Sequence, residues 1–159
     1  MSRPIEDYAL VGDLQSAALV SRDGSIDWLC LPRFDSEACF AALLGDERYG
    51  YWQIAPARDF TRIRRRYRPG TLVLETEFTT ASGVVRLVDC MPPRAGDPVL
   101  IRLIEGVAGR VDMRMTLAAR FEYGDAESAW RSCAPTIRAN ARPKRKRADG
   151  FRLNDYVEA

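Results

Sequence analysis

The stretch Asp23-Gly24-Ser25-Ile26-Asp27-Trp28-Leu29-Cys30-Leu31-Pro32-Arg33-Phe34-Asp35-Ser36 reads in order as a turn, a strand, a loop and a helix start. Asp23-Gly24 supplies the positive φ of a tight hairpin turn and follows the apolar run Ala17-Ala18-Leu19-Val20, so a strand returns antiparallel along Ser25 to Leu31. Pro32 removes a backbone donor and ends that strand. Arg33-Phe34-Asp35 then form a short charged and aromatic loop. Ser36 is placed to cap a short helix over Ala38 to Leu44, in which Phe40, Leu43 and Leu44 share one face and which Gly45 stops.

On the N-terminal side, Ile5 to Val11 and Ser16 to Val20 read as two short strands separated by the turn residues Gly12-Asp13. On the C-terminal side, Tyr49 to Ala55 has the aromatic content of a strand and ends at Pro56. Asp59 to Arg68 sets Phe60, Ile63 and Tyr67 among five arginines, a strand with one exposed basic face. Leu72, Leu74, Thr76 and Phe78 alternate with Val73, Glu75, Glu77 and Thr79, a period of two that no helical stripe reproduces. The Thr80-Ala81-Ser82-Gly83 turn carries this strand into Val84 to Met91, closed by Pro92-Pro93. A further strand, Val99 to Val107, is expected to reverse at Gly106-Val107-Ala108-Gly109. It returns as Val111, Met113, Met115, Leu117, Ala119 and Phe121 on one face, with Asp112, Arg114, Thr116 and Arg120 on the other. Short strands at hairpin spacing, without crossover helices, predict a mainly β fold: an antiparallel β-sandwich with one short helix after the third strand.

The 159 residues, 47% hydrophobic and 29% charged, are ordinary for one globular domain with a core. No window approaches the eighteen apolar residues of a membrane helix, and Met1 to Asp7 lacks the apolar centre of a signal peptide, so the expected compartment is the cytoplasm and no membrane partner is expected. Cys30, Cys39, Cys90 and Cys133 form no Cys-x-x-Cys pair and there is no histidine, so reduced thiols are expected, with no metal site and no cofactor. The missing histidine also excludes Ser-His-Asp and Cys-His machinery within this chain. Residues 1–124 carry 16 basic and 17 acidic side chains, and residues 125–159 carry 8 and 5. Beyond Gly124 the periodicity fails, and a weakly ordered basic tail over 125–159 is expected. Its run Lys144-Arg145-Lys146-Arg147 is short enough that a solvated tail explains it better than a nucleic-acid partner.

Ile5-Glu6-Asp7-Tyr8-Ala9-Leu10-Val11-Gly12-Asp13, the run Ala17 to Val20 and the stretch Asp23 to Ser36 together resemble the N-terminal domain of bacterial trehalase-like and glucoamylase-like proteins of glycoside hydrolase family 15. Arg66-Tyr67-Arg68-Pro69-Gly70-Thr71, Leu74-Glu75-Thr76, Leu87-Val88-Asp89-Cys90-Met91-Pro92 and Arg120-Phe121-Glu122-Tyr123-Gly124 extend the resemblance in order over residues 4–124. It implies a supersandwich-like β domain over 1–124 that packs on a separate (α/α)6 barrel, where α-glucosidic bonds are hydrolysed by inversion. Inversion uses two carboxyl groups about 6.5–9.5 Å apart. The family's catalytic glutamates belong to the barrel, and no position of this chain corresponds to them. The resemblance therefore implies a non-catalytic domain, inactive alone, whose partner is the barrel and, through it, an α-glucan or α-glucoside. An incomplete sandwich, from a truncated or frame-shifted reading frame or an excised domain, is the accompanying expectation. A stand-alone carbohydrate-binding or adaptor module with a basic tail is the alternative.

Trp28, Arg33, Phe34 and Asp35 are the candidate residues for the substrate mouth or the interdomain contact. Aromatic faces stack on sugar C–H surfaces, and Arg and Asp make charge-assisted hydrogen bonds to hydroxyls. The plainer expectation is that Trp28 and Phe34 pack in the core or at an interface and that Arg33 and Asp35 pair or cap locally, with no catalytic residue in this chain. Turn chemistry accounts for Asp13 and Asp23. For Asp27 a solvent-facing strand position suffices. Arg62, Arg64, Arg65, Arg66 and Arg68 read as a solvated strand face before an anion site, and Met113 and Met115 as core fillers.

Overall fold

A computed structural model of the chain describes residues 3–121, 126–127 and 136–140, with side chains described for 3–120. The strands are β1 (Tyr8–Gly12), β2 (Ala17–Ser21), β3 (Ser25–Cys30), β4 (Ala38–Phe40), β5 (Tyr51–Pro56), β6 (Phe60–Tyr67), β7 (Leu74–Thr80), β8 (Gly83–Cys90), β9 (Ile101–Ala118), β10 (Arg120–Phe121), β11 (Ala126–Glu127) and β12 (Thr136–Asn140). Every pairing is antiparallel, and one sheet runs in the order β1-β2-β3-β5-β9-β8-β7-β6, with β4 added on β3 and β12 on β9. The mainly β reading holds. Gly24 takes φ +80° in the turn between β2 and β3, where its N–H donates to Ser21 O, as the Asp-Gly pair demands.

Two local expectations are corrected. Ala38 to Leu44 is not a helix: Ala38–Phe40 pairs with β3 as β4, and only Ala42–Leu44 coils, as a single 3₁₀ turn. Ser36 Oγ faces backward, accepting from Arg33 N–H at 3.1 Å, so it closes the preceding loop and caps nothing ahead. As a strand the segment buries both faces of β4, whereas a helix would bury only one; Leu44, expected on the packed helical face, is left exposed.

Gly106 to Gly109 is likewise not a reversal. The chain continues through it as the 18-residue β9, whose first half pairs with β8 and whose second half pairs with β5. Val84 pairs with Ala108 and Val85 with Gly106, so Val107 is an extra, bulged residue. One extra residue inverts the alternation, which lets Arg102 and Ile104 before it and Val111, Met113 and Met115 after it face one core. Gly109, at φ +64°, absorbs the bend.

The sheet curls until its two edges meet through side chains. Tyr67 Oη on β6 accepts from Leu10 N–H and donates to Leu10 O on β1, both at 2.9 Å, and Arg65 Nη1 donates to Asp7 O and Val20 O. On the β1 edge the N–H and C=O of Leu10, which could template another chain, are thus occupied. Inside the curl lie Val11, Val20, Ile26, Leu29, Phe78, Val85, Leu87 and Met113. Through them runs a buried ion pair: Arg102 Nε donates to Asp89 Oδ1 at 2.8 Å, and the same guanidinium donates to Trp52 O and Gly24 O at 2.7 Å each. Arg102 so ties the β2–β3 turn to β5, β8 and β9. The boundary at residue 124 and the expected weakly ordered tail, with Cys133 and Lys144 to Arg147, fall largely outside the described residues; of that tail only β11 and β12 are described.

Candidate functional site

The loop after β3 is built from local chemistry. Arg33 N–H donates to Ser36 Oγ and Ser36 N–H to Arg33 O, closing a turn. Across it Arg33 donates from Nε to Asp35 Oδ1 at 2.9 Å and from Nη2 to Asp35 Oδ2 at 3.3 Å, and both side chains stand in solvent. The Arg33 hydrogen bonds hold the Asp35 carboxyl below the usual carboxylate range. Phe34 N–H donates to Gln15 O at 3.0 Å, which locks this loop to the turn between β1 and β2 and leaves the Phe34 ring 62% exposed. In that turn Asp13 accepts from the N–H groups of Gln15 and Ser16, and Leu14 takes φ +71° with its side chain 86% exposed. Arg94, from the segment after β8, donates to Asp13 Oδ2 at 2.8 Å. Three segments are therefore fastened together at one end of the sheet.

Trp28 stands apart from that loop. It is half-buried on the outer face of β3, packed against Cys30, Ala38 and Ala41 rather than in the main core. Of the four candidates, the structure gathers Arg33, Phe34 and Asp35 on one exposed loop and sets Trp28 on the sheet beside it.

Asp27 corrects the reading of the sequence. Leu19 pairs with Trp28 and Val20 with Ile26, so Asp27 is the extra residue of a bulge. Its side chain is 3% exposed, not solvent-facing. Asp27 Oδ2 accepts from Arg3 Nη1 at 2.8 Å and from Tyr8 Oη at 2.7 Å, and Oδ1 accepts from Ser25 Oγ. Arg3 also pairs with Asp23, whose Oδ2 accepts from Gln53 Nε2 at 3.0 Å. Burial first, and then the hydrogen bond to Asp27, push the Tyr8 phenol up to about 12, so it remains a donor. Arg3, Tyr8, Ser25, Asp27 and Gln53, but not Asp23, line an open cleft of about 490 Å³ together with residues of the segment Ala42 to Tyr51. All four carboxylate oxygens of Asp23 and Asp27 already accept hydrogen bonds. Such a network positions backbone and walls; neither carboxylate is placed as a free acid or base. Among the described residues no group of three His, Cys, Asp or Glu side chains is disposed to hold a metal ion.

The arginine series is absorbed by neighbours. Arg64, Glu77, Arg86 and Glu105 stand directly opposite one another across β6, β7, β8 and β9, a row of alternating charge in which Arg86 reaches Glu77 at 3.2 Å and Glu105 at 3.4 Å. Arg66 and Arg68 both pair with Glu75 at 2.8 Å. Along these rows the charges of β6–β9 are largely balanced, with Glu75 and Val88 buried among them.

Over residues 1–150 the chain matches the family described as "Trehalase-like, N-terminal", further along than the motifs over 4–124 reach. Among similar proteins are the trehalase of Mycolicibacterium smegmatis, 32% identical over 83% of this chain and 22% of that protein, and the trehalase of Mycobacterium tuberculosis, 30% identical over 88% and 24%. A trehalase of Thermoplasma volcanium is 33% identical over 76% of this chain and 20% of that protein. The chain thus spans about a fifth to a quarter of the length of these relatives. No solved structure matches it. With a family match covering most of its residues, the chain belongs to the trehalase-like N-terminal family.

Proposed function

We propose that this chain serves as the non-catalytic N-terminal β domain of an α-glucoside hydrolase of the trehalase and glucoamylase type in glycoside hydrolase family 15. It supports an (α/α)6 catalytic barrel, and the loop bearing Arg33, Phe34 and Asp35, with Trp28 beside it, contributes to the barrel's substrate mouth or to the contact between domains. The observation that carries this reading is the confinement of the match to a fifth to a quarter of each trehalase, under a family defined by the N-terminal region. The fastened loops support it, because Phe34 is presented outward on a rigid mount rather than on a slack connection. Cys30, Cys39 and Cys90 are free thiols, in keeping with a reducing cytoplasm. Purified chain incubated with trehalose, maltose or dextrin is expected to release no glucose. Robust turnover that a single carboxylate substitution abolishes would overturn the reading.

A further inference from the structure

The two outer faces of the curled sheet differ in kind. Across β6–β9 one outward row is the alternating charge row of Arg64, Glu77, Arg86 and Glu105, and the next is Arg66, Glu75, Val88 and Leu103, whose apolar members this chain already buries or half-buries. Across β1–β3 the corresponding row is Leu10, Leu19 and Trp28, each directly opposite the next. Leu10 is 42% exposed and Leu19 and Trp28 are half-buried. An antiparallel sheet with one face in water carries polar residues there; strands that are apolar on both sides belong to sheets covered on both sides. β2, with the sequence Ala-Ala-Leu-Val-Ser, is such a strand: this chain itself covers Ala17 and Ser21 on the outer face and leaves Leu19 half-covered.

At the end of this row stand Phe34 and Leu14, joined through the hydrogen bond from Phe34 N–H to Gln15 O. Leucine at φ +71° is strained relative to an ordinary backbone conformation. The strain brings no burial within the described residues, since the side chain is 86% exposed. A strained residue projecting an apolar group into solvent, on a turn clamped by the Asp13–Arg94 pair, marks a contact whose other half lies elsewhere.

We infer that the outer face of β1–β3, with the row Leu10, Leu19 and Trp28 and with Phe34 and Leu14 at its end, is the surface on which the remaining domain of a trehalase-type protein packs. This rests on the domain-support reading above and adds to it a face, an apolar character and the named anchors. The occupant follows from length: each relative carries three-quarters or more of its chain outside the matched region, and that portion has to rest somewhere on this domain. The alternating charge row of β6–β9 suits water, whereas the apolar row of β1–β3 suits a domain contact.

The test titrates the full 159-residue chain with the portion of the Mycolicibacterium smegmatis trehalase lying outside its matched region, and maps the contact by hydroxyl-radical footprinting. Saturable binding is expected, with protection at Leu10, Trp28 and Phe34 and none at Arg64 or Glu105. Leu10→Glu and Phe34→Ser, both at exposed positions that leave the fold intact by circular dichroism, each weaken binding about tenfold or more, and Glu105→Lys does not. Binding with protection on the β6–β9 face overturns this inference and leaves the domain-support reading standing. Absence of binding by the unsubstituted chain overturns both. Concentration-dependent protection of Leu10 and Phe34 in the chain alone assigns the face to a second copy and overturns it as well.

Discussion

Replacing Arg102 by methionine removes the buried guanidinium that ties the β2–β3 turn to three strands. The change keeps most of the stem that lies over Trp52, whose ring centre is 5.1 Å from the guanidinium carbon, and deletes the charge. Asp89, fully buried, loses its partner at 2.8 Å, and Trp52 O and Gly24 O lose donors at 2.7 Å each. Removing one member of a buried ion pair costs about 3–5 kcal/mol, because the remaining charge stays out of water. With an m-value of about 2 kcal/mol per molar urea, the midpoint of unfolding falls by about 2 M. Urea titration followed by tryptophan fluorescence and by circular dichroism reads the loss. A companion, Asp89→Leu with Arg102→Met, removes both charges and regains most of the stability, since an apolar pair of similar volume replaces a buried ion pair at little cost. A single-variant loss under about 1 kcal/mol, or a double variant no better than the single, refutes the account of Arg102 as the hub of the core.

Three further outcomes are expected. Gly24→Ala places a Cβ 2.3 Å from Ile54 O in a residue at φ +80°, so it destabilises by about 2 kcal/mol or more and lowers the thermal midpoint, whereas an unchanged midpoint contradicts the tight turn. Burial raises the Asp13 pKa, but the N–H groups of Gln15 and Ser16 together with Arg94 outweigh it and hold it below the ordinary value; its stabilisation is therefore full above about pH 4 and is lost as pH falls through the depressed value. Asp13→Asn should be less stable at pH 7 and should lose less stability between pH 5 and pH 3, as urea midpoints at each pH would show. Burial pushes the Cys39 thiol up to about 12, so iodoacetamide at pH 8 should modify the half-buried Cys90 before Cys39, read by peptide mass mapping; equal rates in native protein contradict the buried site.

The hairpins were legible because their signals are local. Asp23-Gly24 and the two-residue connection between Thr80 and Gly83 state their own geometry, and the alternation of β7 needs no knowledge of its neighbours. Ala38 to Leu44 and Gly106 to Gly109 were misread because each was decided by a distant partner. β3 offers Ala38–Phe40 a strand pairing worth more than a single helical turn, and β5 receives the second half of β9, so the glycines bend a strand instead of reversing it. Asp27 followed the same rule: only the bulge opposite Leu19 and Val20 turns it into the Arg3 and Tyr8 network. The Arg33–Asp35 pair was readable from a two-residue spacing, whereas the link from Phe34 to Gln15 joins loops 19 residues apart and left no local trace.

The most direct test of the central claim is a chimera in which residues 1–150 of this chain replace the matched region of the Mycolicibacterium smegmatis trehalase, assayed for trehalose hydrolysis beside the same trehalase with that region deleted. The account predicts that the deletion folds but is inactive and that the chimera regains turnover. A folded chimera no more active than the deletion would contradict it.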